Sequence, residues 1–247
     1  TYLLGDEEVA VLDPGPALPE HIDAILDAGD DRIRWIVCTH THPDHSPAWK
    51  AVAEATGAQV IGASPPDDMF QDDTFKPTLE LQHDYVLSAK EFTLRAVHTP
   101  GHVGNHYCFF LEEEGMMFAG DHIMNGSTVV IIPPSGNMKA YIESLQRLLD
   151  YPLQFIAPGH GDVMPEPKAT VDWLVNHRLM REQKVIDGLR STGRAPLEEL
   201  VKVVYDDVDT SLHKMAQLSL SAHLIKLSEE NRARQHVLDD SWEILEI

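Results

Sequence analysis

Three imidazoles and a carboxylate fall within six residues at His40-Thr41-His42-Pro43-Asp44-His45. They follow directly on the apolar run Trp35-Ile36-Val37-Cys38, which reads as a buried strand. A strand that ends in clustered nitrogen and oxygen donors has the make-up of a metal site. His40 and His42 stand two residues apart, so in an extended segment their rings point the same way. Asp44 and His45 come beyond the turn at Pro43 and can face a second ion. A polar turn with stacked histidines is the bland alternative, and it does not account for so dense a set of donors.

Neighbouring residues on one loop cannot surround an ion, and zinc takes about four ligands. Distant segments must therefore supply the rest. Three have the same form, an apolar strand that ends in a Gly-flanked donor: Thr99-Pro100-Gly101-His102, Ala119-Gly120-Asp121 and Pro158-Gly159-His160-Gly161. Glycine permits the sharp turn and close backbone approach that let a short side chain reach an ion. Each signal is weak alone; four such strand ends in one chain form a joint one.

Residues 1–165 in this way resemble the metallo-beta-lactamase superfamily of binuclear metal hydrolases, whose order of HxHxDH, His, Asp and His is filled here without departure. The resemblance implies that His40, His42 and His102 bind a first metal, that Asp44, His45 and His160 bind a second, and that Asp121 bridges them. It implies an α/β fold, an αββα sandwich of two mixed sheets with helices outside and metals at one edge. Mixed imidazole and carboxylate donors suit two divalent ions, zinc first, with manganese or iron as alternatives. Such a pair lowers the pKa of a bridging water toward neutrality, and the hydroxide is the expected nucleophile. Asp44 and Asp121 are the expected catalytic residues, Asp44 by orienting the water and taking its proton. No Gly-x-Ser-x-Gly elbow and no P-loop glycine pattern is present. Thr39, Thr41 and Thr99 are candidates to orient the histidines, and Asn105, His106 and His122 adjoin the ligands.

The rest of the chain must position these loops. Thr1–Gly5 and Val9–Leu12 read as strands, the second ended by Asp13-Pro14-Gly15. Leu18–Ala28 and Pro47–Thr56 read as helices, and 59–61 as a short strand. Residues 64–84 carry three prolines and many acids and read as a surface loop with one or two short helical turns near the site mouth, where Met69, Phe70 and Phe75 could line a substrate cleft or, as such residues more often do, anchor the loop to the core. Strands follow at 92–97, 106–111 and 116–119, then an amphipathic helix at 138–149 and a strand at 155–157.

The pattern turns helical near Pro165-Glu166-Pro167, which divides the chain into a hydrolase domain (1–165) and a C-terminal domain (166–247). Helices are expected at 169–189, 196–205 and 212–227, followed by a hairpin around Asp239-Asp240, an order that resembles a winged helix. Spacing puts Leu212, Met215, Leu218, Ala222 and Ile225 on the buried stripe of the last helix, with Lys214 and Lys226 its only exposed bases. So few bases favour a structural or dimer-forming role over nucleic-acid reading. The runs at 176–182, 198–205 and 222–227 resemble the beta-lactamase-like protein 2 subgroup. That resemblance implies two substrate classes, single-stranded RNA and acyl-carrier-bound thioesters.

The net charge is −21, with −17 on residues 1–165, which opposes avid binding of phosphate backbones. Cys38 and Cys108 lie in apolar strands and read as buried thiols. No apolar run approaches the about 18 residues of a membrane span. The expected setting is cytoplasmic, with an upstream targeting segment left open because the chain starts at Thr1. The expected substrate is a small ester, thioester or lactone, with single-stranded RNA as the alternative. A nucleic-acid or protein-binding module ranks third, and a homodimer is the oligomer to test.

Overall fold

Strand Val9–Leu12 is buried at all four positions, because both of its faces are covered. In the computed structural model, which describes residues 1–245, Val9 and Val11 pack with Ile25, Val52 and Val60 on the helix side of their sheet. Ala10 and Leu12 face the opposite way, toward Leu94, Phe109 and Phe118 of a second sheet. The two-residue period of a strand thus serves two cores at once.

The first sheet orders β1 (Tyr2–Leu4), β2 (Val9–Leu12), β3 (Ile33–Val37), β4 (Gln59–Gly62) and β5 (Leu79–Glu80). β1 is antiparallel to β2, and the others run parallel. Helices α1 (Pro19–Gly29) and α2 (Trp49–Thr56) make the crossovers and cover the outer face. The second sheet contains β6 (Val86–Ser88), β7 (Thr93–His98), β8 (Tyr107–Leu111), β9 (Met116–Gly120) and β10 (Phe155–Pro158) in the order β10-β9-β8-β7-β6. Its outer face packs on α3 (Met138–Leu148) through Tyr141, Ile142 and Leu145. The result is a helix–sheet–sheet–helix sandwich.

α4 (Pro167–Thr192) spans two cores. Val171 and Leu174 join the core beneath α3, whereas Val185, Ile186 and Leu189 join a separate C-terminal cluster. That cluster gathers α5 (Leu197–Val204), α6 (His213–Glu229) and a three-stranded sheet of β11 (Ala195–Pro196), β12 (Ala233–His236) and β13 (Ser241–Ile244). The hairpin lies a few residues earlier than its apolar residues suggest, and Val237 and Leu238 are left exposed at its tip.

Three sequence expectations are corrected. Residues 64–84 are not all loop, since β5 pairs with β4 through Ile61 and Leu79. Phe75 is buried against Trp49 and anchors this segment to the core, the commoner of its two readings, while Met69 and Phe70 line the cleft. The buried stripe of α6 runs through Ala216, Leu220, Leu224 and Leu227; of the residues expected there Ala222 is buried and Ile225 packs against the cluster, while Leu212, just before the helix, and Met215 are exposed. This helix carries apolar residues all round, so more than one stripe fits its spacing, and packing against α4 and α5 selects between them. Lys226 is buried, with its Nζ 2.7 Å from Glu182 and 2.8 Å from Glu230, so it is not an exposed base. Cys38 and Cys108 are buried free thiols, and no helix among the described residues is long and apolar enough to cross a membrane.

Glu182 is also buried and accepts from Arg232 at 3.2 Å. Removing one partner of a buried pair strands the other charge. Glu182→Ala is expected to cost about 3 kcal/mol of stability, read as a lower urea midpoint at unchanged slope.

Candidate metal centre

β8 is antiparallel to both β7 and β9, and β10 is parallel to β9, so β7, β9 and β10 end at one edge of their sheet. His102, Asp121 and His160 follow those three ends. β3 delivers His40, His42, Asp44 and His45 from the facing sheet. Gly159 allows the close approach. A Cβ there would stand 2.8 Å from Asp121 Oδ1 and 2.8 Å from His45 Cε1.

All seven residues singled out in the sequence come together, in two groups. One donor atom from each of His40, His42 and His102 lies within 4.8 Å of the others, and the same holds for Asp44, His45, Asp121 and His160. In the first group His42 Nδ1 and His102 Nε2 are 3.0 Å apart. In the second, Asp44 Oδ2 is 3.0 Å from His160 Nε2 and 3.6 Å from His45 Nε2. Asp121 faces both. Its Oδ1 is 3.2 Å from His45 Nε2 and 3.5 Å from His160 Nε2, while its Oδ2 is 3.9 Å from His102 Nε2.

The residue that sequence reasoning missed is Asp13, at the end of β2. Parallel pairing sets Leu12 beside Val37, which brings the buried Asp13 carboxylate under the metal loop. Asp13 Oδ1 accepts from Thr39 N at 2.7 Å, and Oδ2 accepts from Thr39 Oγ1 at 2.8 Å and His45 Nδ1 at 2.9 Å. Because Thr39 gives its hydroxyl proton to Asp13, its oxygen accepts from His40 Nδ1, 2.9 Å away. Both rings are thereby held with Nε2 aimed inward, as a bare lone pair on His40 and as the nitrogen that takes a proton or a metal on His45. His102 is set the same way, by Nδ1 donating to Val130 O at 2.9 Å. The signal available in sequence was an acid ending an apolar strand before Pro-Gly, the same form as the other donors.

Of the three threonines, Thr39 touches a candidate ligand; Thr41 bonds Gln71 and Asn105, and Thr99 bonds His106. His106 and His122 are fully buried, which removes them from contact with substrate.

Burial lowers the pKa of His40 well below its ordinary value and that of His42 to about 4, and the neighbouring imidazoles add to both effects. Burial lowers His102 as well. These rings are neutral at pH 7 and offer lone pairs. Burial also opposes a charge on His45, but Asp13 and Asp121 outweigh it and raise this ring to about 10. Two carboxylates around one imidazole call for a cation, whether a proton or a metal. Burial resists ionisation of Asp121, yet its bond to His45 and the nearby rings lower its pKa overall. His40 Nε2 is buried without a hydrogen-bond partner, and His45 Nε2 and Asp121 Oδ1 are buried with only each other at 3.2 Å. Orphaned donors of this chemistry, converging as they do, fit a pair of cations.

His42, Asp44 and His102 open onto a cleft of about 660 Å³. Its walls include Met69, Phe70, Val103, Ile132 and, from α6, Leu218. Asp67 and Asp68 also line it, and no Lys or Arg does among the described residues. Met69 is 89% exposed and Phe70 46%, so an apolar guest would cover surface now in water.

The profile of the metallo-beta-lactamase superfamily matches residues 1–160, and that of the beta-lactamase associated winged helix domain matches residues 197–242. The chain is 30% identical to the beta-lactamase-like protein 2 homolog of Drosophila melanogaster, over 95% of this chain and 83% of that protein. It is 31% identical to an atrochrysone carboxyl ACP thioesterase of Aspergillus chevalieri, over 94% of this chain and 76% of that protein. A metallo-beta-lactamase family protein from Thermus thermophilus superposes with a TM-score of 0.80, covering 99% of this chain and 93% of that one at 22% identity, a likeness of fold.

Asp13→Ala frees His45 and, through Thr39, His40 from their fixed orientations. The variant is expected to hold metal about ten- to a hundredfold more weakly than the parent, as measured by competition with a chromophoric chelator.

Proposed function

Because the chain belongs to the metallo-beta-lactamase superfamily, with an associated winged-helix domain, we propose that it is a two-metal hydrolase of apolar esters or thioesters, lactones included. The observation that carries the substrate class is the cleft: apolar walls, acidic flanks and no basic side chain beside the donors. A phosphodiester strand would meet Asp44, Asp67 and Asp68 there, without a cation from the chain to offset them. The thioesterase named among the relatives agrees with this reading.

In this reading His40, His42 and His102 would hold one ion and Asp44, His45 and His160 the other, with Asp121, whose carboxylate faces both groups, shared between them. Two bound divalent ions, zinc in our assignment with manganese or iron as alternatives, would supply Lewis acidity and an acidified water. The chain's own part is to position and to move protons. Asp44 is half-exposed and lies on the boundary between the donors and the cleft. With Oδ2 toward His160, its other oxygen is free to orient the attacking water and accept its proton. Asp13 keeps the His40 and His45 rings from turning as charge builds. The apolar walls hold the acyl group and exclude bulk water from the carbonyl.

We assign residues 1–165 to the hydrolase domain and 166–247 to a C-terminal domain whose α6 walls one side of the cleft through Leu218. The exposed bases of α6 are too few for groove reading, all the more with Lys226 buried.

Metal-loaded protein should hydrolyse apolar acyl thioesters or aryl esters, stop under chelation, and lose about a hundredfold or more in kcat in Asp44→Asn. A panel of thioesters, esters, lactones, phosphodiesters and short RNAs decides the class. RNA cleavage without ester or thioester turnover would overturn it. Leu218→Asp is expected to raise KM about tenfold for a medium-chain acyl thioester and to leave the acetyl thioester unchanged, a split that steady-state kinetics reads directly.

A further inference from the structure

Arg178 is a cation in an apolar core. It lies in the middle of α4, is 4% exposed and forms no ion pair among the described residues. Its Nη2 donates to Val129 O at 2.6 Å, its guanidinium carbon stands 5.1 Å from the centre of the Tyr141 ring, and its Nε has no partner. For stability alone, Met or Leu would fill such a place with less desolvation. The cost calls for a task that a charged, planar donor performs.

Both contacts of Arg178 lead to His102. Val129 is followed by Val130, whose carbonyl accepts from His102 Nδ1 at 2.9 Å and so sets which ring nitrogen faces the centre. Tyr141 sits in α3, and α3 holds the turn that presents His102. Asn137 N donates to Gly101 O at 2.8 Å and Ser144 Oγ donates to Pro100 O at 2.8 Å. Gly101, at φ +148, lies so close to the Tyr141 backbone that a Cβ would not fit. Tyr141 also donates to His122 O at 3.0 Å, beside Asp121. One guanidinium thus braces the acceptor of the His102 ring and the helix beneath the His102 turn.

We infer that Arg178 is a positioning residue for the centre, through which α4 holds His102 in register with His40 and His42. The inference rests on the two-metal reading above. It concerns the His102 group first, since His45, Asp44 and His160 share none of these supports and Asp121 is reached only at one remove, through the His122 carbonyl. A lysine would keep the charge but lose the planar stack and the fixed direction of the donor.

Stepwise metal affinities by chelator competition, with melting of the metal-free protein alongside, test this in Arg178→Met and Arg178→Lys. In both variants one of two affinities should weaken about ten- to a hundredfold while the other stays within about twofold. The metal-free melting temperature should move by no more than about 4 °C. Two unchanged affinities in a folded variant would overturn the inference. Should Arg178→Met fail to fold, Arg178→Lys decides alone by the same criterion. A parent chain that binds no ion would instead overturn the two-metal reading, and this inference with it.

Discussion

A buried lone pair with nothing to accept from costs free energy, and the sandwich gathers imidazoles and carboxylates at one edge where such an atom is left. His42 Nδ1 and His102 Nε2 are hydrogen-bonded at 3.0 Å, and His40 Nε2 is buried beside them with no partner. Hydrogen bonds behind the rings keep these donors from relaxing. Thr39 holds His40, Asp13 holds His45 and the Val130 carbonyl holds His102. The folded chain therefore carries a cost that cations would relieve, and binding them would return that cost as stability.

The need to bring donors to one edge accounts for the direction of the strands. β2 and β3 run parallel, and β7, β9 and β10 share one direction in the opposite sheet, so five strand ends face one place. A purely antiparallel meander would send every second loop to the far edge. β8, which runs the other way, begins at this edge after the loop that carries His102, and its far end carries no candidate ligand. Parallel neighbours need long crossover connections, which α1 and α2 supply between β2, β3 and β4, and residues 63–78 supply without a helix between β4 and β5.

Much of the centre was legible in the sequence because its donors are dense and each follows an apolar run with a glycine nearby. All seven lie in the two groups. Asp13 has the same local form, but its role depends on the β2–β3 register, which sets Leu12 beside Val37 and is not written in either segment alone. The acidic, proline-rich stretch does not reveal which of its large apolar residues anchors it and which line the cleft; Phe75 turns inward against Trp49, and Met69 and Phe70 face outward. The stripe of α6 was misread for a different reason. Apolar residues surround that helix because it serves three surfaces, with Leu220 and Leu224 in the C-terminal cluster, Ala222 in the core under α3 and Leu218 at the cleft.

That division of α6 bears on what a winged-helix domain does on this chain. A helix free to enter a nucleic-acid groove needs one solvated, basic face. Here one face is taken by α4 and α5, and Lys226 is neutralised between Glu182 and Glu230. Another is turned toward the cleft by Leu218. α4 ties the arrangement together, with Val171 and Leu174 in one core and Val185 and Leu189 in the other. Movement of the C-terminal helices would therefore reshape the cleft wall and disturb the Val129 segment beside His102 together. In this chain the winged-helix fold contributes surface to the cleft through Leu218 and rigidity to the candidate site through α4, so a change in α6 would alter which acyl groups the apolar wall accepts.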